Sequence, residues 1–148
     1  MFQAGKRIKV LFICTGNSCR SQIAEGWARE LKGDAMEAFS AGVNPVVLSE
    51  RAVKVMAEAG VDISGQFAKH VDELAGVDFD YVVTVCDNAR EQCPVFPGKT
   101  KVIHRSFEDP SLACGSKEKI VAAFRKTRDE IKPFIEALPE ALEDQEAQ

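Results

Sequence analysis

The strongest constraint on the fold is the segment Ile8–Cys14, IKVLFIC, a nearly continuous apolar run rich in β-forming residues. Runs of this kind are typical of parallel strands that are buried on both faces. A polar loop follows directly, and from Ser21 the spacing of Ile23, Trp27 and Leu31 predicts a helix with one apolar stripe. The order strand, loop, helix predicts the first half of a βαβ unit, the building block of parallel sheets.

The same alternation continues along the chain. Further short apolar runs predict strands and further amphipathic or capped segments predict helices: strands over 36–42, 81–86 and 100–104, and helices over 49–59, over 69–75 and from Ser116 onward. In that last helix Pro133 is expected to introduce a bend. The alternation predicts an α/β fold with one four-stranded parallel sheet, ordered 2-1-3-4, and helices on both faces. We assign residues 1–140 to this single domain and expect residues 141–148 to be a frayed tail.

Length and composition agree with one globular domain, because 148 residues with 45% hydrophobic and 28% charged residues suffice for one core. The net charge of −4 argues against a nucleic-acid-binding protein, which usually has a basic face. No apolar run is long enough for a membrane span, and the run that ends at Cys14 is too short for a signal peptide. We therefore expect a cytoplasmic monomer without a membrane or nucleic-acid partner. In that reducing compartment its five cysteines are more often packing, metal-binding or reactive groups than disulfides.

The loop after the first predicted strand, CTGNSCRS over residues 14–21, has the features of an anion site. Backbone N–H groups at a helix N-terminus lack intrahelical partners and carry the positive end of the helix dipole, so they bind oxyanions. The planar guanidinium of Arg20 adds further N–H donors for the anion. The same field favours the thiolate form of Cys14, which makes Cys14 the predicted nucleophile. The residues expected to bind the anion are Thr15, Gly16, Asn17, Ser18, Cys19, Arg20 and Ser21.

A cysteine and an arginine separated by five residues, in a loop near the N-terminus, resemble the signature of the low-molecular-weight tyrosine phosphatase superfamily. The resemblance covers most of the chain. It implies that Asp109, in the pair Asp109-Pro110 after the fourth predicted strand, is the general acid that protonates the departing oxygen. Pro110 by itself favours an extended backbone at Asp109, at the same edge of the sheet as Cys14.

Two further cysteines bear on whether the chain is a phosphatase or a reductase. A phosphatase has no use for additional thiols, whereas arsenate, which mimics phosphate, accepts two electrons from thiols. Cys86 closes the third predicted strand, which lies beside the first in the order 2-1-3-4, and so ends at the same edge as Cys14. Attack by Cys86 on the sulfur of a Cys14–arsenic adduct would release arsenite and leave a disulfide. Cys93, seven residues later, can then attack Cys86 and free Cys14.

The three cysteines, their spacing and the pair Ser21-Gln22 after the arginine resemble the thioredoxin-coupled arsenate reductases of that superfamily. The resemblance implies that arsenate is reduced to arsenite, with phosphate and sulfate as competing oxyanions, and that thioredoxin regenerates the relay. If residues 87–93 are helical in the reduced protein, about 10 Å of helical rise separates the two cysteines that flank them. A disulfide needs Cα atoms about 5 to 6 Å apart, so oxidation is predicted to unwind this segment.

Rival interpretations stay open. The chain can instead be a phosphomonoester hydrolase with incidental thiols, although no tyrosine lies near Asp109 in the sequence to hold an aromatic substrate. It can also be a non-catalytic anion-sensing module, although the intact set of Cys14, Arg20 and Asp109 argues against this. Cys19 can form a protective disulfide with Cys14. Cys114, in the segment SLACGS, can replace Cys93 as the resolving thiol.

Some members of the family bind potassium beside the loop through an asparagine, a glutamate, a serine and an aspartate. Asn17, Glu25 and Ser40 match three of these positions, but Lys69 stands at the fourth, a cation where the family has a carboxylate. We therefore expect no potassium dependence, with the Lys69 ammonium near Glu25 and Asn17. No Cys/His spacing suggests another metal site, and no cofactor is expected beyond electrons from thioredoxin.

Overall fold

The computed structural model describes residues 7–96 and 98–146. Its centre is a sheet of four parallel strands in the order β2-β1-β3-β4, with helices around it, which confirms the predicted fold class and strand order. The strands are β1 Ile8–Cys14, β2 Met36–Gly42, β3 Tyr81–Thr84 and β4 Lys101–His104. Cys14 is opposite Gly42 on β2, and Ile13 is opposite Thr84 on β3. The carboxyl ends of these strands therefore meet at one edge, where ligands bind in such sheets.

Five α-helices and two short 3-10 helices accompany the sheet within the described residues. The α-helices are α1 Arg20–Lys32, α2 Glu50–Glu58, α3 Asp87–Gln92, α4 Lys117–Glu136 and α5 Glu140–Glu146. The 3-10 helices are Val71–Leu74, where the sequence predicts a longer helix, and Pro110–Leu112. α4 continues through Pro133, and the hydroxyls of Ser49 and Ser116 cap α2 and α4 as N-cap residues do.

The core lies between the sheet and its helices. β1 is fully buried from Val10 to Ile13, as its apolar sequence predicts. α1 packs on β1 and β2 and also against α4, and Trp27 of α1 donates from Nε1 to the carbonyl of Arg128 at 3.1 Å. This packing fixes the start of α1 directly beyond the end of β1.

The C-terminal segment differs from the prediction of a frayed tail over 141–148. Residues up to 146 form α5, Leu142 is fully buried, and Ala141 packs partly buried against the core. The segment has too few apolar residues to show a helical period, so only its packing against the domain reveals the helix. Residues 147–148 lie outside the described residues. Among the described helices, none combines the length and the apolar character that crossing a membrane requires.

Candidate active site

The loop from Cys14 to Ser18, between β1 and α1, has all five of its carbonyl groups engaged by donors outside the loop, at 2.8 to 3.2 Å. In order, the donors are the backbone N–H groups of Val43, Asn44 and Val46, the side-chain amide of Gln22, and the backbone N–H group of Ser49. In a trans peptide the next N–H group points opposite to the carbonyl. The N–H groups of residues 15–19 therefore turn to the inner side of the loop and form a concave set of donors suited to an oxyanion.

The start of α1 leaves further donors for an anion. Cys19 occupies the N-cap position, and its side chain makes no capping hydrogen bond. The N–H groups of the first helical turn are therefore not satisfied by a side-chain cap, and they add the positive end of the helix dipole. The sequence predicts an anion site of this kind for residues 14–21.

Asn17 holds the bend of the loop. Its φ of 50° is the one positive value among the described non-glycine residues, and asparagine tolerates this left-handed conformation better than most residues. The side chain is fully buried, donates from Nδ2 to Ser21 Oγ at 2.8 Å and accepts the backbone N–H of Lys69 at 2.9 Å. The loop is thus tied to α1 on one side and to residue 69 on the other.

Gln22 gives the loop a second support. Its amide donates to the carbonyls of Asn17 and Phe67 at 2.9 and 3.0 Å, and its Oε1 accepts from Gln66 at 2.8 Å. The side chain is fully buried, so these bonds also satisfy the amide. The partner Gln66 has no signal in the sequence.

Position 42, at the end of β2, requires a glycine, which was not predicted from the sequence. A Cβ atom at this position would lie 2.7 Å from the carbonyl oxygen of Thr15 and 3.0 Å from Asn17. Any side chain would therefore push the strand away from the loop. The only available signal is its place at the end of a predicted strand beside Cys14.

Cys14 is buried at the base of this loop, with 2% of its surface exposed. Its Sγ lies 2.8 Å from Ser21 Oγ. Because Ser21 already accepts the bond from Asn17, its single hydroxyl proton is free to point at the sulfur. A donor in this position stabilises a sulfur that carries negative charge.

Arg20 and Asp109 form an ion pair beside the loop, a contact that the sequence does not predict, although it predicts Asp109 at the same edge of the sheet as Cys14. Arg20 Nη2 is 3.3 Å from Asp109 Oδ2, and Nη1 donates to the carbonyl of Phe107 at 3.1 Å. The other carboxylate oxygen of Asp109 accepts the backbone N–H and the hydroxyl of Ser111, at 2.9 and 2.7 Å. Asp109 is thus held at the N-cap of the 3-10 helix that begins at Pro110.

Cys86 is buried at the N-cap of α3 and lies against the same loop. Its Sγ is 3.4 Å from Thr15 Oγ1 and accepts the backbone N–H of Ala89 at 3.4 Å. Since Thr15 follows Cys14 in the chain, the second thiol contacts the residue next to the predicted nucleophile. The adjacency of β1 and β3 produces this approach.

The other three cysteines lie in different surroundings. Cys93 follows α3 and is partly buried, and burial raises the pKa of its thiol. Cys19 is buried in the loop, where burial likewise raises the pKa, whereas Cys114 is exposed. α3 separates Cys86 from Cys93, and all five cysteines are free thiols.

Lys69 lies among the residues that the resemblance connects with potassium. Its Nζ donates to the carbonyl of Ser40 at 3.0 Å, and Glu25 acts on it electrostatically. Glu25 is buried, accepts the hydroxyl of Ser40 at 2.6 Å and forms an ion pair with Arg29. Burial lowers the pKa of Lys69, and the carboxylate of Glu25 acts in the opposite direction. Within the described residues, no group of three or more Cys, His, Asp or Glu side chains could hold a metal ion.

Comparisons with known proteins agree with this geometry. Residues 9–148 match the family model described as low molecular weight phosphotyrosine protein phosphatase. The arsenate reductase of Bacillus subtilis is 45% identical over 122 residues, which cover 82% of this chain and 88% of that protein.

Two solved structures are also similar to this chain. An arsenate reductase in the phosphate binding state has a TM-score of 0.72 at 31% identity and covers 88% of this chain and 95% of that one. The thioredoxin-dependent arsenate reductase of Corynebacterium glutamicum has a TM-score of 0.67 at 30% identity and covers 99% of this chain and 66% of that one.

Proposed function

The chain belongs to the low molecular weight phosphotyrosine protein phosphatase family, and from that premise we propose that it is an arsenate reductase. Cys14 is the nucleophile, and Cys86 and Cys93 carry the electrons away. Arsenate binds to the inward N–H groups of residues 15–19 and to Arg20, and phosphate and sulfate compete for the same donors because they have the same shape and charge sign.

In the first step the Cys14 thiolate attacks arsenic, and an S–As bond forms while one oxygen leaves as water. Asp109 supplies the proton for that oxygen. In the second step Cys86 attacks Cys14 Sγ, so that an S–S bond forms and the S–As bond breaks. The electron pair of the broken bond stays on arsenic, which is reduced from As(V) to As(III) and leaves as arsenite. One arsenate and two thiols thus give one arsenite, one disulfide and one water.

In the third step Cys93 attacks Cys86, and the thiolate of Cys14 is released. The Cys86–Cys93 disulfide then accepts two electrons from thioredoxin, whose own dithiol becomes a disulfide. The name of the Corynebacterium glutamicum relative supports a thioredoxin-dependent cycle. Such a cycle belongs in the cytoplasm, where thioredoxin is kept reduced.

The observation that carries this proposal is the contact of 3.4 Å between Thr15 Oγ1 and Cys86 Sγ. It brings a second thiol to the residue next to Cys14, and a phosphatase has no step for that thiol. The names of the arsenate reductases that resemble this chain support the same substrate.

The test is arsenate-dependent oxidation of NADPH in the presence of thioredoxin and thioredoxin reductase. Cys14→Ser, Cys86→Ser and Cys93→Ser should each lose turnover, while Cys114→Ser, a matched change at an exposed thiol, should keep it. Full turnover in both Cys86→Ser and Cys93→Ser would refute the relay. Loss in Cys114→Ser together with retention in Cys93→Ser would assign the resolving role to Cys114.

Phosphomonoester hydrolysis is the second candidate, because the contact between Arg20 and Asp109 beside the loop also serves a phosphatase. Hydrolysis of p-nitrophenyl phosphate requires Cys14 but neither of the later cysteines. Rapid hydrolysis by the wild type, without arsenate-dependent NADPH oxidation, would favour this function over the reductase.

A further inference from the structure

We infer that Asn88 is a positioning residue for Cys86: through Thr15, and together with the Asp87–His104 pair, it holds the first turn of α3 against the anion loop. The inference rests on the proposed reductase function, since only that function uses Cys86. It concerns the step in which Cys86 attacks the sulfur of Cys14.

The contact between Asn88 and Thr15 joins α3 to the anion loop. Asn88 Nδ2 donates to Thr15 Oγ1 at 2.9 Å. Gln92, four residues later on the same helix, donates to Asn88 Oδ1 at 2.8 Å, and this bond fixes the orientation in which the amide nitrogen faces Thr15. Asn88 is therefore a donor with a set direction.

This contact limits where the proton of the Thr15 hydroxyl can point. A hydroxyl has one proton to donate and two lone pairs. Because Thr15 Oγ1 accepts from Asn88, its proton is free to point at its other neighbour, Cys86 Sγ, at 3.4 Å. The sulfur also receives the N–H of Ala89. The Thr15 hydroxyl of the loop and the Ala89 N–H of α3 thus both contact Cys86 Sγ.

A second polar contact holds the neighbouring residue of α3. Asp87 Oδ1 lies 3.0 Å from His104 Nε2, and since a carboxylate can only accept, the imidazole is the donor. The opposite nitrogen of His104 pairs with the hydroxyl of Thr84 at 2.9 Å, and Thr84 is buried at the end of β3. The first two residues of α3 are thus attached to β4 and to the anion loop.

These contacts matter because α3 has little else to hold it. It has six residues, and Ala89 is the one that is fully buried. A helix this short is unstable by itself in water and depends on its contacts with the rest of the protein. Cys86 therefore needs the attached state for its attack on Cys14, whereas the attack by Cys93 needs these contacts to break. Loss of the Asn88 contact should slow the first reaction but not the later steps, which are the attack by Cys93 and the reduction of the Cys86–Cys93 disulfide.

The test separates the two half-reactions in Asn88→Ala, with Glu91→Ala on the exposed side of α3 as the matched control. Single-turnover arsenite formation without thioredoxin should fall about tenfold in Asn88→Ala, as expected for one lost hydrogen bond, and should stay at the wild-type rate in Glu91→Ala. Reduction of the preformed Cys86–Cys93 disulfide by thioredoxin should be as fast as in the wild type or faster. Affinity for inorganic phosphate should not change, because the anion loop is intact.

Asn88→Asp distinguishes positioning from simple packing. Aspartate has the shape of asparagine, but its carboxylate accepts the Thr15 proton and turns it away from Cys86. We expect arsenite formation as slow as in Asn88→Ala. A rate equal to the wild type in both variants overturns the inference, and so does an equal slowing of both half-reactions with weaker phosphate binding. A wild-type protein that forms no arsenite refutes the reductase function itself, whereas arsenite formation unaffected by either variant refutes the role of Asn88 alone.

Discussion

At the scale of single residues, the hydroxyl of Ser21 lies between Asn17 and Cys14, at 2.8 Å from each of the two atoms that it contacts. The buried amide of Asn17 donates to Ser21, and this bond leaves the Ser21 proton free to point at the sulfur. In the proposed reaction, the reactivity of Cys14 therefore depends on Asn17 and Ser21 as well as on the backbone N–H groups.

We predict that Ser21→Ala slows arsenite formation about tenfold to one hundredfold, because a hydrogen bond to a charged group contributes about 1.5 to 3 kcal/mol. The measurement is the single-turnover rate at saturating arsenate. Ser64→Ala is the matched control, since Ser64 is exposed and bonds only to Asp62 among the contacts described. Equal rates in Ser21→Ala and the wild type would show that Ser21 does not act on Cys14.

We propose that the ammonium of Lys69 takes the place of a potassium ion, since its Nζ donates to the Ser40 carbonyl and interacts electrostatically with the Glu25 carboxylate. Arsenate turnover should be the same in potassium and sodium chloride at equal ionic strength. Lys69→Ala should lower turnover in both salts, whereas Lys54→Ala, at an exposed lysine of α2, should not. A clear increase of wild-type turnover in potassium over sodium contradicts the proposal.

At the scale of elements, α3 is the helix that the proposed reaction must reshape. Six helical residues stand between Cys86 and Cys93, which separates the two cysteines by about 10 Å of rise, and a disulfide requires a much shorter distance between Cα atoms. The helical state is the reduced state, because all five cysteines are free thiols in this structure.

We predict that oxidation of Cys86 and Cys93 to a disulfide removes the hydrogen-exchange protection of backbone amides in residues 87–92. The measurement compares reduced and oxidised protein by mass spectrometry, with the amides of β1 as an internal reference that should not change. Equal protection of the segment in the two states would count against unwinding of α3.

At the scale of the whole molecule, the parallel sheet gathers residues that are far apart in the sequence. β2 contributes Gly42, β1 contributes Cys14, and the chain beyond β3 contributes Cys86, all at the carboxyl edge of the sheet. Binding an oxyanion there links α1, the loop and residues 43–49, so that the ligand should stabilise the entire domain.

We predict that phosphate at one hundred times its Kd stabilises the protein by about 2.7 kcal/mol and raises Tm by several degrees. Arg20→Ala should abolish most of this rise. Arg125→Ala, which removes a surface ion pair with Glu58, should lower Tm slightly at most and keep the full rise. A phosphate-dependent rise in Arg20→Ala equal to that of the wild type would exclude Arg20 from the anion site.

The strands, the anion loop and the pair Asp109-Pro110 were predictable because each depends on residues that are neighbours in the chain. β1 is apolar because both of its faces are buried, and Cys14, Arg20 and Asp109 have recognisable neighbours in the chain. Local patterns did not indicate α5, since its two apolar residues, Ala141 and Leu142, are adjacent and show no helical period. The burial of Leu142 depends on contacts with the rest of the domain.

The parallel α/β fold and the position of the anion loop follow from the sequence alone, because hydrophobic period and helix termini are properties of neighbouring residues. Three further features depend on the folded chain: Gly42 must lack a side chain, Gln66 supports the loop, and Asn88 donates to Thr15. These contacts join residues 25 or more positions apart, and hydrogen bonds act over about 3 Å. Such distances exist only after the strands have paired and the helices have packed.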